Sequence, residues 1–215
     1  MKNIIITGFK PFGPYKANTT EQFLEKYCLL GDYNVHALVF SPEIFFTAKA
    51  GGAQIVALAE RIQAEAIIQL GMASSVRGLR IESSAVNWSA GKYCLGIEQK
   101  QKLDPNQAPW GAKEVDLSLW NFDRLFRGLD ALHVEHEKEI STDAGTYCCN
   151  ALMYRTLSAL GPDYKIPYLS LHVPCTAEAI AGIPDFAADK SLTTMGTLHK
   201  IMLVLLHCHL NNQQT

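Results

Sequence analysis

The 215-residue sequence has almost no net charge. Its 19 lysines and arginines nearly balance its 21 aspartates and glutamates, so the formal net charge is −2 at pH 7 and the isoelectric point is near 6.4. Proteins that bind nucleic acid or an anionic membrane usually carry a basic patch or a strong positive charge. The composition therefore predicts neither nucleic acid nor a membrane surface as a partner.

Long hydrophobic runs are also missing. A membrane-spanning helix needs about 20 consecutive apolar residues, whereas the most apolar stretch near the C-terminus is the short segment IMLVLLHCHL. The apolar run in the N-terminal MKNIIITGF is too short for a secretory signal, and no cleavage site follows it. We therefore expect no membrane span and no leader.

The six cysteines show neither a disulfide framework nor a CxxC spacing; they are Cys28, Cys94, Cys148, Cys149, Cys175 and Cys208. Such cysteines are typical of reduced thiols, so the sequence predicts a cytoplasmic protein. His207 and His209 flank a cysteine, but residues two apart on a helix point away from each other and are poor ligands of one metal ion. We therefore expect no metal site at these histidines.

What the sequence does contain is an alternation of strand-like and helix-like segments. KNIIIT and AEAIIQLG are apolar runs of the kind found in strands buried on both faces of a parallel sheet, and IPYLSLHVP is a further strand. Segments with helical spacing separate them. The sequence predicts an α/β fold: a three-layer α/β/α arrangement around a mainly parallel twisted sheet, in a single domain spanning residues 1–215.

Three further segments carry specific expectations. Pro42 and Glu43 are predicted to open a long helix, and VEHEKEI, residues 134–140, to form a strand. Lys92–Lys113 is the least regular part of the chain and is predicted to be a surface excursion.

Working residues of such a sheet lie on loops at the carboxyl ends of its strands. Four segments follow that rule: Gly8–Gly13, Gly71–Glu82, the STDAG turn at 141–145, and the HVP segment that ends at Pro174. We expect these four segments to converge.

Two of these segments contain groups suited to nucleophilic catalysis. Thr142 or Asp143 is predicted to cap the helix that follows, which places Cys149 within its first two turns, where the helix dipole favours a thiolate. His172 ends a buried strand and is placed as a base, and Glu82 lies on the same side of the predicted sheet, where it could orient the imidazole. The same residues also fit ordinary roles: a core cysteine, a satisfied histidine and a solvated glutamate.

Four blocks of the sequence resemble the pyroglutamyl peptidases of type I, a family of cysteine peptidases also called pyrrolidone-carboxylate peptidases. TGFKPFGPYKANTT is similar to the family's TGF-x-PFG signature, and DAGTYCCNALMY to its cysteine motif SAGTYxCNxxxY. LHVP matches the histidine motif, and IESSAVN has the glutamate followed by asparagine five positions later. The blocks occur in the family's order.

The resemblance implies a catalytic triad. The family's nucleophile directly precedes the asparagine of the cysteine motif, which is Cys149 here and leaves Cys148 at a variable position with a packing role. The histidine corresponds to His172 and the carboxylate to Glu82. The implied activity is removal of an N-terminal pyroglutamyl residue from peptides through a thioester, without metal or organic cofactor.

The resemblance also implies a substrate pocket. Phe9, Phe12 and Tyr147 correspond to an aromatic wall around the lactam ring, and Asn18 to a brace for the loop that carries the phenylalanines. Met72 stands where many members have a glutamine that helps to shape the pocket.

The same loop departs further from the family pattern. GMASSVRG takes the place of GQAGGR, so that the arginine of this motif is displaced to Arg77. These differences leave two alternatives open: an enzyme acting on another small amide or lactam, and a non-catalytic protein that binds pyroglutamate or peptides. A redox role for the adjacent cysteines would require a strained vicinal disulfide. Many family members are homotetramers, so the resemblance implies a homo-oligomer, either dimer or tetramer.

Overall fold

The computed structural model describes residues 1–42, 50–92, 98–183 and 191–210. The strands within these residues are β1 (Lys2–Phe9), β2 (Leu29–Leu30), β3 (Tyr33–Phe40), β4 (Ala66–Met72), β5 (Arg80–Glu82), β6 (Ser84–Val86), β7 (Ser89–Lys92), β8 (Glu98–Gln101), β9 (Ala112–Glu114) and β10 (Tyr168–Val173). The helices are α1 (Thr19–Lys26), α2 (Ala50–Ile62), α3 (Phe122–Ala131), α4 (Cys148–Leu160), α5 (Ala177–Ile180) and α6 (Met195–Leu210).

A six-stranded sheet forms the centre of the fold, in the order β2-β3-β1-β4-β10-β5. The four inner strands β3, β1, β4 and β10 run parallel to one another. The edge strands β2 and β5 pair antiparallel with their neighbours. The carboxyl ends of the parallel strands therefore meet at one edge of the sheet.

Alternation of side chains along β1 builds a core on each face of the sheet. Ile4 and Ile6 point to one face, where α1, α3 and α6 supply residues such as Phe23, Leu125 and Leu198. Ile5 points to the other face and packs with residues of α2 and α4. The predicted three-layer α/β/α fold with a mainly parallel sheet is confirmed.

The prediction of a strand at 134–140 is wrong, because the structure has no regular strand there. The segment runs beside β5 and bonds to it near its two ends, where Leu79 N–H donates to Glu135 O and Ser141 N–H donates to Ile81 O. Leu79, one residue before β5, pairs with His136, and Glu82 pairs with Ser141, so that residues 79–82 face the longer stretch 136–141. The extra residues bulge out of the ladder and prevent continuous pairing.

Two further expectations are only partly covered by the described residues. The segment that follows Pro42 lies outside them at 43–49, and helix α2 is described from Ala50 onward. The expected irregular excursion contains β8 and β9, and residues 93–97 lie outside the description. Across the described ranges, every helix is too short or too polar to cross a bilayer.

Candidate active site

A cavity of about 400 Å³ opens at the carboxyl end of the sheet. All four loop segments expected to converge there, or the chain directly beside them, contribute to its wall. The lining residues are Phe12, Tyr15, Met72, Ala73, Ser74, Ser75, Arg80, Asp143, Ala144, Gly145, Tyr147, Cys149 and His172. Its volume is within the range of small-ligand sites.

Cys149 lies closer to the start of its helix than the sequence predicts. Helix α4 begins at Cys148, with Tyr147 in the N-cap position, so that neither Thr142 nor Asp143 is the cap. The carboxylate of Asp143 instead accepts the N–H of Gly145 at 2.9 Å, and Gly145 has φ +75°, a left-handed conformation that interrupts a helix. Cys149 is thus in the first turn, where the positive end of the helix acts most strongly on a thiolate.

The structure brings Cys149, His172 and Glu82 together. His172 Nδ1 lies 2.7 Å from Glu82 Oε1, and the histidine and glutamate are 8% and 0% exposed. Cys149 Sγ and His172 Nε2 both border the space above Gly71, and the thiol and the imidazole interact electrostatically. The register of the sheet explains this arrangement, because Ser170 and His172 of β10 pair with Glu82 and Arg80 of β5, and paired residues project from the same face.

Gly71 leaves the space in which the thiol and the imidazole meet. A Cβ atom at this position would lie 2.7 Å from Cys149 Sγ and 3.0 Å from His172 Nε2. Both distances are far below a normal carbon contact. Glycine at position 71, one residue before the end of β4, is therefore required by the geometry of the site.

The electrostatics of the site favour a thiolate and an imidazolium. A hydrogen bond from the Cys148 thiol and the interaction with His172 outweigh the effect of burial and lower the pKa of Cys149 to about 5. Burial alone would lower the pKa of His172, but the charge of Cys149 and the contact with Glu82 reverse this and raise it to about 10. The pair can therefore be ionised across the neutral range.

Cys148 has the opposite environment. Its side chain is completely buried, and burial, together with the hydrogen bond to Cys149, raises the pKa of this thiol well above its ordinary value. Cys148 therefore stays protonated and can donate its hydrogen to the neighbouring sulfur.

Two buried side-chain amides hold the start of α4 in place. Neither of them was identified in the sequence analysis. Asn150 accepts the N–H of Val86 at 2.8 Å and donates to the carbonyls of Val86 and Trp88 at 3.0 and 2.8 Å. Gln69 of β4 donates to the carbonyl of Cys149 at 2.9 Å and accepts the hydroxyl of Tyr168 at 2.9 Å. A glutamine within the apolar run AIIQLG was the signal that could have identified the second amide.

The aromatic wall consists of Phe12, Tyr15 and Tyr147. The ring of Phe12 lies 5.4 Å from that of Tyr147 and 5.6 Å from that of Tyr15, measured between centroids. Tyr15 was missed by sequence reasoning. Phe9, which was expected in this wall, instead lies completely buried in the core with Ile5, because the alternation along β1 directs it to that face, and it does not line the cavity.

The two remaining predicted residues lie at the base of the same loop. Asn18 is buried and caps α1 by accepting the N–H of Thr20 at 2.9 Å, while its amide donates to Lys10 O at 3.3 Å. It braces the loop from behind and is not part of the cavity wall. Met72 does line the cavity, and its sulfur accepts the N–H of Thr19 at 3.4 Å.

The arginine at the site is Arg80 and not Arg77. Arg77 is exposed and lies outside the lining, whereas Arg80 lies opposite His172 in the sheet and reaches the cavity wall. Spacing within the loop could not distinguish the two, because the pairing of β5 with β10 decides which side chain faces the site.

Comparisons with known proteins identify the family of the chain and agree with its fold. The family model for pyroglutamyl peptidase matches residues 2–203. The chain is 28% identical over 193 residues to the pyrrolidone-carboxylate peptidase of Halalkalibacterium halodurans, covering 88% of this chain and 85% of that protein. It is 29% identical over 188 residues to the enzyme of the same name from Thermococcus litoralis, covering 84% and 80%.

Solved structures show the same architecture. The pyrrolidone carboxyl peptidase of Thermococcus litoralis superposes with a TM-score of 0.78 at 24% identity, over 100% of this chain and 96% of that one. A variant of the Pyrococcus furiosus enzyme gives 0.78 at 22% identity, over 98% and 99%. These structural similarities bear on the fold alone, but the family model extends over nearly the whole sequence. The chain belongs to the pyroglutamyl peptidase family of cysteine peptidases.

Proposed function

We propose that the chain hydrolyses the bond after an N-terminal pyroglutamyl residue, with Cys149 as nucleophile, His172 as acid and base, and Glu82 as the group that orients His172. The observation that supports this most directly is the arrangement of Cys149, His172 and Glu82 at the cavity: Cys149 and His172 line the wall and interact electrostatically, and His172 is hydrogen-bonded to Glu82. The names of the relatives, pyrrolidone-carboxylate peptidases, point to the same substrate.

The proposed reaction has two steps. The Cys149 thiolate attacks the pyroglutamyl carbonyl carbon, and the His172 imidazolium gives its proton to the leaving nitrogen, so that the peptide departs with a new amino terminus and a thioester remains. His172 then takes a proton from water, whose oxygen attacks the thioester. Pyroglutamate leaves, and the thiolate and imidazolium are restored.

Two features of the structure fit this chemistry. Glu82 contacts the ring nitrogen of His172 that faces away from Cys149, so the carboxylate fixes the ring orientation and stabilises its charged form. Helix α4 begins without a side-chain cap, which leaves N–H groups of its first turn for the oxyanion of the tetrahedral intermediate.

The wall of the cavity suits a flat lactam ring. Phe12, Tyr15 and Tyr147 provide aromatic faces, and Met72 adds a flexible apolar side chain. A small neutral ring would be held by these apolar walls together with backbone hydrogen bonds.

Three peptides that differ only in their first residue test the proposal. The purified protein is incubated under reducing conditions with matched peptides that begin with pyroglutamate, proline or glutamine, and the products are identified by mass spectrometry. We expect release of free pyroglutamate from the first peptide alone. Cleavage of other small amides without pyroglutamyl cleavage would favour a redirected enzyme, and tight pyroglutamate binding without turnover of any peptide would favour a binding protein.

A further inference from the structure

Arg80 is a basic residue in the cavity wall, and the proposed reaction gives it no role. It lies directly opposite His172 in the antiparallel pair of β5 and β10, so both side chains project from the same face of the sheet. Opposed residues in such a pair have Cα atoms about 5 Å apart. Both side chains line the same cavity, so Arg80 and the imidazole that serves the leaving group face the same space.

The side chain of Arg80 is held in place yet keeps donors available. Its Nε donates to Glu137 Oε2 at 2.7 Å, and the side chain is 27% exposed. The two terminal nitrogens form no hydrogen bond with any residue in the described ranges. A guanidinium fixed through Nε presents its remaining N–H groups in a fork that matches the two oxygens of a carboxylate.

The position of Arg80 determines which part of a substrate it can meet. The aromatic wall of Phe12 and Tyr147 would hold the pyroglutamyl ring, and His172 would hand its proton to the nitrogen of the next residue. A carboxylate on that next residue is only a few bonds from the leaving nitrogen. Arg80, beside His172, is on this side of the scissile bond.

We propose that Arg80 binds a carboxylate on the residue that follows pyroglutamate, which would make short acidic pyroglutamyl peptides the preferred substrates. This inference depends on the proposed function. The carboxylate has two sources: the free α-carboxylate of a pyroglutamyl dipeptide, or the side chain of an aspartate or glutamate in a longer peptide.

Asp143 is the charged group at the cavity that opposes this preference. Its carboxylate lines the same wall and interacts electrostatically with Arg80, although one of its oxygens already accepts the N–H of Gly145. Glu137 also faces the guanidinium. The preference must therefore come from direct hydrogen bonds to Arg80 and not from a generally positive cavity, and removing the charge of Asp143 should strengthen it.

Three dipeptide derivatives separate the sources of the carboxylate. Pyroglutamyl-alanine carries a free α-carboxylate, pyroglutamyl-glutamate α-amide carries only a side-chain carboxylate, and pyroglutamyl-alanine amide carries neither. We expect wild type to show kcat/KM about tenfold or more higher for a carboxylate-bearing peptide than for the neutral amide, the size of one charge-assisted hydrogen bond. The peptide that shows the preference identifies the source.

Four variants test the residue. Arg80→Gln should still cleave the neutral amide, but its kcat/KM should be about the same for the carboxylate-bearing peptide and the neutral amide. Arg80→Lys should retain part of the preference for the carboxylate. Asp143→Asn should increase it. Arg77→Gln is the matched control, because this arginine is exposed and outside the cavity, and the preference should not change.

The outcomes distinguish this inference from the proposed function. Cleavage of all three peptides at similar rates by wild type, or an equal loss on all three in Arg80→Gln, would overturn the role of Arg80 and leave the proposed function standing. Failure of the folded wild type to cleave any of the peptides would overturn both.

Discussion

His172 Nδ1 lies 2.7 Å from Glu82 Oε1, and the carboxylate is completely buried. Its second oxygen has no hydrogen-bond partner among the described residues. A buried carboxylate is costly unless an opposite charge compensates for it. The imidazolium of His172 supplies that charge, so Glu82 and the protonated form of His172 stabilise each other.

Replacing the carboxylate by its amide tests this dependence. In Glu82→Gln the side chain keeps its shape but loses its charge, so the pKa of His172 should fall and the thiolate–imidazolium pair should become less populated. We expect kcat/KM on a pyroglutamyl substrate to fall about 10²-fold, within the range for acid–base groups. Glu139→Gln is the control, since this glutamate is exposed. Unchanged activity in Glu82→Gln would contradict the role of the charge.

The pH dependence should show two separate limits. Below about pH 5 the Cys149 thiolate takes up a proton, so both activity and alkylation by iodoacetamide should decrease. Above about pH 10 the His172 imidazolium loses its proton, so activity should decrease while alkylation continues. Alkylation that first rises near pH 8.5, as for an ordinary thiol, would argue against the ion pair.

Gly71→Ala should separate the thiol from the imidazole. The added methyl group would lie within 3.0 Å of both Cys149 Sγ and His172 Nε2, so one of them has to move. A misplacement of about 1 Å in catalytic groups can cost about 10² in rate, and we expect a loss of at least that size. Gly196→Ala serves as control, because the nearest atom to its added Cβ is 3.8 Å away. Full activity in Gly71→Ala would be incompatible with the observed geometry.

Asn150 should contribute mainly to stability. In Asn150→Ala the N–H and carbonyl of Val86 and the carbonyl of Trp88 lose their hydrogen bonds to the Asn150 amide. We expect the free energy of unfolding to decrease by about 2–5 kcal/mol, measured by urea denaturation. The exposed Asn106→Ala should change it by less than about 0.5 kcal/mol. Equal stability of the two variants would show that the three bonds contribute little.

The fold could be predicted from the sequence because its central strands are continuous apolar runs. Ile4, Ile5 and Ile6 follow one another and are all buried, a pattern typical of a β-strand that is covered on both faces. The meeting of the loops that carry Phe12, Cys149 and His172 then follows, since the carboxyl ends of parallel strands share one edge.

Other features depended on tertiary information. The start of α4 was misplaced because Gly145 adopts a left-handed conformation that no spacing rule required. Arg80 was overlooked in favour of Arg77 because the register of β5 against β10 decides which one faces the cavity. The bulged segment beside β5 had a strand-like sequence, but its extra residues cannot pair.

The most direct test of the central claim is hydrolysis of a fluorogenic pyroglutamyl amide by wild type, Cys149→Ser and Cys148→Ser, each checked for folding by circular dichroism. We predict turnover by wild type and its loss in Cys149→Ser. Cys148→Ser should remain active, because its hydroxyl can still donate to the Cys149 thiolate. Activity that survives in Cys149→Ser, or that disappears only in Cys148→Ser, would contradict the assignment of the nucleophile.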